Sequence, residues 1–419
     1  MGAPTVGRSK APVPSPGVAM AAPAGVPLSV NSWRGLSEKW RKAWIWEIVA
    51  RAKRGPEKKA EGVAASILGR FHMKAVVIHE TGGPEKLIYE DIETPTAGAG
   101  EVLINLKTVG LNHFDLDVRG DVSGYLNLKM PHILGVEGAG VIAEIGPGVR
   151  GFKVGDRVMP QLTTSSGRCN RPICNCALGM DNICLDFAKL GITHWGTYAE
   201  YVKVTEPNII RIPDAVSDLD AAATQVAMAT AWELVVTKGK VSQGEDVLVN
   251  AAGSGVGSAA VQIAHLAGAR VIASAGSDGK LDRARQLGAA DGINYNKHSI
   301  VDEVMKLTGG RGVDVVIEMV GGDILKQSLS ALAFNGRLST CGAHAGEVVD
   351  IDMIEFFRKQ LTMTSTHFAP VSTNQRVLKL VGEGKLRPVI EKIFPLKEMA
   401  AAHELLASRN FFGKVILEV

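Results

Sequence analysis

Apolar positions recur with two different periods between Met73 and Val419. Lys74-Ala75-Val76-Val77-Ile78 and Val102-Leu103-Ile104-Asn105-Leu106 are short apolar runs that read as strands. From Gly138-Ala139-Gly140-Val141 through Gly146-Pro147-Gly148-Val149 to Gly155-Asp156-Arg157-Val158, short strands alternate with Gly/Pro turns, the pattern of a small β-barrel. Ala221 to Val236 is a long helical stretch. After it, Val247-Leu248-Val249 reads as a buried parallel strand and Arg270-Val271-Ile272-Ala273 as the next one. Between them Val256, Ala260, Ile263, Ala264 and Ala267 share one face at helical spacing. Helix and strand keep alternating over 280–287, 313–318, 324–333 and 337–341, which predicts a doubly wound parallel sheet. Phe411 to Leu417 returns to a strand able to rejoin the first domain.

The turn inside that alternation, Gly253-Ser254-Gly255-Val256-Gly257, is the chemically informative stretch. Glycines between a buried strand and a helix let a diphosphate approach the backbone and lie against the first amides of the helix. A glycine cluster alone also fits a merely tight turn; the order strand, glycine turn, helix, strand selects dinucleotide binding.

Composition adds constraints. The chain has 419 residues, 46% hydrophobic and 21% charged, as in a globular enzyme of two or three domains. Its net charge of +3 is unevenly placed: residues 1–72 hold 12 Lys and Arg against 4 acids, the remainder 34 against 39. A mildly acidic body argues against nucleic-acid binding, and no apolar run reaches the roughly 18 residues a membrane span needs. Four of the five cysteines fall between Cys169 and Cys184, which suits a reduced, cytoplasmic, metal-binding cluster better than a secreted disulfide framework.

Residues 1–31 are rich in Pro, Ala and Gly and lack acids, a composition of disorder. Within residues 37–54, Trp40, Trp44 and Ile48 repeat every fourth residue among basic side chains, an amphipathic helix suited to an anionic membrane surface or a partner. Met1-Gly2 lacks the Ser or Thr that myristoylation needs, since Val6 stands there. An organellar presequence is one alternative for residues 1–72, and a working start at Met73 another. A chain begun at Met73 is expected to fold and to bind cofactor.

The motifs VGLNHFD (109–115), LGVEGAG (134–140), GTYAEY (196–201), AAGSGVG (251–257) and FGKVIL (412–417) place a resemblance. From Met73 to the end the chain resembles the medium-chain dehydrogenase/reductase superfamily, in its quinone-oxidoreductase and zinc-binding alcohol dehydrogenase-like branch. The resemblance implies a GroES-like β-barrel catalytic domain (73–215, completed by 366–419) split around a Rossmann domain (216–365), with the active site between them. It also implies a homodimer or homotetramer.

Zinc alcohol dehydrogenases of that superfamily hold a catalytic metal with Cys and His. At the matching positions stand Asn112, Val136 and Val226, which removes the ligand triad; His113 or Glu137 offers only a weak substitute. The relatives' structural-zinc loop is spaced Cys-x2-Cys-x2-Cys-x7-Cys. Cys176 and Cys184 keep the last interval, whereas Cys169, Cys174 and Cys176 are spaced x4 and x1, with Ser166 near one expected cysteine. Both a structural zinc on Cys169, Cys174, Cys176 and Cys184 and a lobe of free thiols remain open.

The expected reaction is hydride transfer between NADPH and a small electrophile, a quinone, enone or enal, without catalytic zinc. Asn112 is the first candidate to hydrogen-bond the developing oxyanion and His113 the second. Asp115 fits a loop-fixing role. His194-Trp195 fits a pocket, interface or core position, and Cys341 a packing role at the cleft. The cofactor-binding candidates are Gly253, Ser254, Gly255, Val256, Gly257, Ser277, Lys280 and Tyr295. NADPH is expected because the ribose-binding acid of NAD enzymes is replaced by Ala275, followed by Gly276 and Ser277. In the NADPH-using quinone reductases that this segment resembles, a lysine and a tyrosine hold the adenosine phosphate; Lys280 and Tyr295 match them. Asp278 binding the ribose of NADH is the alternative. Two rival functions stand beside this: a zinc-type alcohol dehydrogenase, and a non-catalytic cofactor-binding partner protein.

Overall fold

The computed structural model describes residues 72–121, 128–165, 173–186 and 188–419. The expected basic helix at 37–54, Ser166 and Cys169 lie outside the described residues.

The catalytic part opens with β1 (His72–Ile78), β2 (Ile88–Glu93) and β3 (Glu101–Gly110), then helix α1 (His113–Gly120). It continues through β4 (His132–Ile133), β5 (Gly138–Ile145), β6 (Arg157–Pro160), β7 (Thr163–Thr164), β8 (Ala188–Lys189), β9 (Tyr201–Thr205) and β10 (Ile209–Arg211). β3 is the hub: it pairs antiparallel with both β5 and β9. Its alternate faces are filled by Val102, Ile104, Leu106 and Val109, which join Ile142, Val158 and Val202 in one core.

Helices α2 (Asp218–Thr224) and α3 (Ala227–Trp232) follow, and a π-helical turn covers Glu233–Lys238. The expected continuous helix is thus broken in two near Gln225, whose side chain is diverted into the barrel: it donates to Pro160 O and accepts from Gly138 N.

The coenzyme part is a six-stranded parallel sheet: β11 (Asp246–Val249), β12 (Arg270–Ala275), β13 (Asp291–Asn294), β14 (Val313–Glu318), β15 (Leu332–Thr340) and β16 (Thr362–Ser365). The strand order β13-β12-β11-β14-β15-β16 places the chain reversal beside β11, where a doubly wound sheet binds its ligand. The helices of this part are α4 (Gly255–Leu266), α5 (Asp278–Gln286), α6 (Ile300–Leu307), α7 (Gly322–Ser330) and α8 (Met353–Arg358). Ala260, Ile263 and Ala264 of α4 are buried as the periodicity predicts, and Val256 packs against the same core while also lining the cleft. β15 begins five residues before the expected 337, because a bulge lets Leu332 pair with Val313 ahead of the Arg337–Val315 register.

The chain returns through α9 (Val371–Gly382), β17 (Ile390–Pro395), α10 (Met399–Ser408) and β18 (Lys414–Glu418). β18 pairs with β3 of the barrel. Just before it, Gly413 N–H donates to Gly253 O at 2.9 Å, so the returning strand passes directly over the glycine turn. A side chain at Gly413, where φ is +97°, would sit 2.3 Å from Val389 O.

Candidate active site

A cleft of about 410 Å³ opens between the glycine turn, α1 and the segment Arg409–Lys414. Among its lining residues are Asn112, His113, Gly253, Ser254, Gly255, Val256, Lys280 and Tyr295, which come from widely separated stretches of the chain. Two expected cofactor residues do not reach it. Gly257 lies underneath, where a Cβ would meet Ala251 O at 2.1 Å, so its role is close packing of strand and helix. Ser277 caps α5, its hydroxyl accepting from Lys280 N at 3.4 Å.

The glycine turn fits a dinucleotide. Ser254 Oγ caps α4 by accepting from Gly257 N at 2.9 Å. Gly255 and Val256, the first residues of a 12-residue helix, have no intrahelical acceptor for their amides, and both line the cleft. Beyond Ala275, Lys280 and the 41% exposed Tyr295 line the same cleft. Lys280 Nζ rests on Arg409 O at 2.7 Å. Asp278 is turned elsewhere: Lys297 Nζ at 2.6 Å and Asn294 Nδ2 at 2.7 Å take its two oxygens and hold it below the usual carboxylate range.

At the opposite end the positions of a zinc triad carry different chemistry. Val136 is a buried aliphatic side chain, and Val226 contributes its backbone N–H to Glu137 Oε2 at 3.0 Å. Asn112 Nδ2 donates to Glu137 Oε1 at 2.9 Å, and Asn112 Oδ1 accepts from Lys414 Nζ at 2.8 Å. Lys414 also pairs with Glu137, and both are buried. An amide, two isopropyl groups and a carboxylate already paired with an ammonium do not make a zinc donor set. Sequence reasoning missed Lys414, although a lysine inside the apolar run Phe411–Leu417 is itself the signal: buried there, it must have a partner.

His113 sits in the cleft with its ring 5.4 Å from that of His344 and 6.1 Å from that of Phe411. Burial, reinforced by the neighbouring His344, lowers its pKa to about 4, so the imidazole is neutral at physiological pH. Cys341 lines the same cleft as a neutral thiol, pushed up to about 12 by burial. Trp195 lies outside the cleft, 39% exposed, and donates to Pro131 O.

Behind Asn112 runs a second buried chain. Asp115 Oδ2 accepts from Asn112 N at 2.8 Å, which fixes the loop as expected, and Tyr198 lies beside Asp115. His403 Nε2 lies 3.2 Å from Tyr198 Oη, and Arg119 donates to His403 Nδ1 at 2.9 Å. Burial raises Asp115 to about 7 and lowers His403 to about 3. The folded His403 ring therefore stays neutral while the unfolded one takes up a proton below its ordinary 6.5. Its contribution to stability is present above 6.5 and is lost as pH falls from there toward 3. His403→Gln is expected to reduce the acid-side slope of unfolding free energy by as much as about 1.4 kcal/mol per pH unit, measured by urea titration at stepped pH. An unchanged slope would show the ring already protonated when folded.

The described cysteines of the lobe adjoin one another. Cys184 and Cys174 both neighbour Cys176, and burial first, then Cys184, pushes its thiol up to about 12. Among the described residues no group of three or more His, Cys, Asp or Glu is arranged to hold a metal.

Residues 98–214 match the alcohol dehydrogenase GroES-like domain family and residues 255–383 the zinc-binding dehydrogenase family. The solved structure of an NAD-dependent alcohol dehydrogenase is 43% identical, with a TM-score of 0.78, covering 83% of this chain and all of that one. The chain belongs to the medium-chain dehydrogenase/reductase superfamily. Within it, 2-haloacrylate reductase of a Burkholderia species is 29% identical over 82% of this chain and 98% of its own. Human quinone oxidoreductase is 29% identical over 83% and 98% respectively. As a superfamily member of this branch, the protein is an NAD(P)H-dependent oxidoreductase acting on small molecules, with the two-domain α/β fold described above. Among the described residues no helix is long and apolar enough to cross a membrane.

Proposed function

We propose that this enzyme reduces an already electrophilic double bond or carbonyl, a quinone, enone or enal, with NADPH and without a catalytic zinc. The observation that carries the reading is the Asn112–Lys414–Glu137 cluster, built around Asn112 at a position where zinc-binding relatives carry a ligand. The nicotinamide, when bound, supplies the hydride. Gly255 and Val256 amides receive the diphosphate, and Leu111, Phe114, Val226, Met319 and Phe368 give the cleft an apolar wall that excludes water. Hydride addition puts negative charge on the acceptor's oxygen, and Asn112 Nδ2 donates to it. Neutral His113 is a second donor, and solvent supplies the proton that completes the product. The names 2-haloacrylate reductase and quinone oxidoreductase among the relatives support such acceptors.

The reading as an alcohol dehydrogenase, favoured by the 43% identical NAD-dependent enzyme, needs a Lewis acid that these side chains do not hold. A panel of quinones, enals and secondary alcohols, followed by reduced-cofactor absorbance, separates the two: electrophile reduction supports the proposal, and alcohol oxidation alone the dehydrogenase.

The cysteine lobe is proposed to carry one structural zinc, with Cys169 joining Cys174, Cys176 and Cys184; its support is the adjacency of the three described thiols. Metal analysis should find about one zinc per chain, whose removal lowers Tm but leaves kcat. Zinc-free native protein would leave a lobe of thiols. The described cysteines are thiols rather than disulfides, which suits the cytoplasm. A homodimer or homotetramer is supported by exposed Phe334, Met353, Ile354, Phe357 and Met363 around the outer strand β16. Light scattering should give at least twice the chain mass, and a monomer at micromolar concentration would refute this.

A further inference from the structure

We infer that Lys414 and Glu137 are positioning residues that hold Asn112 with its amide oxygen buried and one N–H facing the cleft. This deepens the reading of Asn112 as the oxyanion donor and rests on it. An ammonium has three N–H bonds and no acceptor. Those of Lys414 go to Leu111 O at 2.6 Å, Asn112 Oδ1 at 2.8 Å and Glu137 Oε1, so Lys414 has none left for a substrate or a phosphate. Glu137 is equally committed. Its Oε1 accepts from Lys414 and from Asn112 Nδ2, its Oε2 from Val226 N. Flipping the Asn112 amide would set its NH2 against an ammonium and its oxygen against a carboxylate, so a single orientation survives. In that orientation one Nδ2 hydrogen goes to Glu137, and among the described residues the other has no protein acceptor. Asn112 lines the cleft.

The same contacts strengthen the donor. Hydrogen bonds in series polarise one another, and an amide whose oxygen accepts from a buried cation gives up its N–H more readily. Lys414 also ties this end of the cleft to the other. It opens β18 directly after Gly413, and a Cβ on Gly255 would come within 2.9 Å of its side chain. One residue thus touches the glycine turn and sets the amide.

The test is a mutant cycle read as kcat for 1,4-naphthoquinone or trans-2-hexenal, together with the Kd of NADPH. Lys414→Met combined with Glu137→Gln removes both charges and leaves neither buried alone. In protein that stays folded, kcat is expected to fall about tenfold or more, and by a larger factor than any rise in the NADPH Kd, since Lys414 also lies beside Gly255. Adding Asn112→Ala to the pair should then cost less than about threefold further, because the donor is already misaligned. A folded double variant with kcat near wild type, or effects that simply multiply, would overturn the inference. If Asn112→Ala itself leaves kcat intact, the donor assignment fails and this inference with it; a slow Asn112→Ala beside a fast double variant sinks the positioning role alone. Should the double variant not fold, Glu137→Gln alone is decisive: a fall of about threefold or more in kcat at constant NADPH Kd is expected, and no change refutes.

Discussion

Asn112→Ala is expected to lower kcat by about 10²–10³-fold on a quinone or enal, the loss seen when one oxyanion donor is removed. The effect should fall on kcat more than on KM, because the bond matters most when charge has developed on the acceptor oxygen. The Kd of NADPH should hold, since Asn112 hydrogen-bonds Asp115, Glu137 and Lys414 and not the glycine turn or Lys280. Part of any Tm change comes from Glu137, which loses one donor but keeps Lys414 and Val226 N. Asn112→Ala at full kcat would transfer the role to His113 or a backbone amide. The neutral His113 ring adds a pH signature: with its pKa near 4, acceptor reduction should show no histidine titration between pH 5.5 and 7.5 arising from that residue.

The second large effect is on cofactor choice. Lys280→Ala should weaken NADPH by about 1.5–3 kcal/mol, roughly 10- to 150-fold, the value of a hydrogen bond to a charged group, and hardly alter NADH. The support is local. Ala275 and Gly276 leave room where an acid would repel a 2′-phosphate, Lys280 and Tyr295 border that room, and Asp278 is held by Lys297 and Asn294. Arg409 O is the present acceptor of Lys280, an exposed contact that a phosphate can displace. Fluorescence titration of both reduced cofactors checks this. Equal affinities in the unmutated protein would return the ribose to Asp278 and NADH.

What could be read from the chain followed locality. The strand, glycine turn and helix follow one another directly, and period and spacing placed them; Lys280 and Tyr295, singled out by the resemblance, border the same cleft. Even there, side-chain direction was not legible: Ser277 turned to cap its own helix. The break near Gln225 escaped notice because the residue that makes it bonds to a strand 65 positions away. The largest omission was longest in range. Glu137 and Lys414 are 277 positions apart, and no periodicity connects them; only the buried lysine in FGKVIL hinted at a partner. Asn112, Val136 and Val226 were readable position by position, whereas the partners Asn112 takes required the fold.

The central claim is that this active site reduces its acceptor without a metal, and one measurement addresses it most directly. Protein stripped of zinc by chelation, shown folded by circular dichroism and metal-free by elemental analysis, is assayed with NADPH and an enal or quinone. The account predicts kcat unchanged within error, even where Tm has fallen through the cysteine lobe. Turnover that vanishes in the folded, stripped enzyme and returns on adding Zn²⁺ would contradict it.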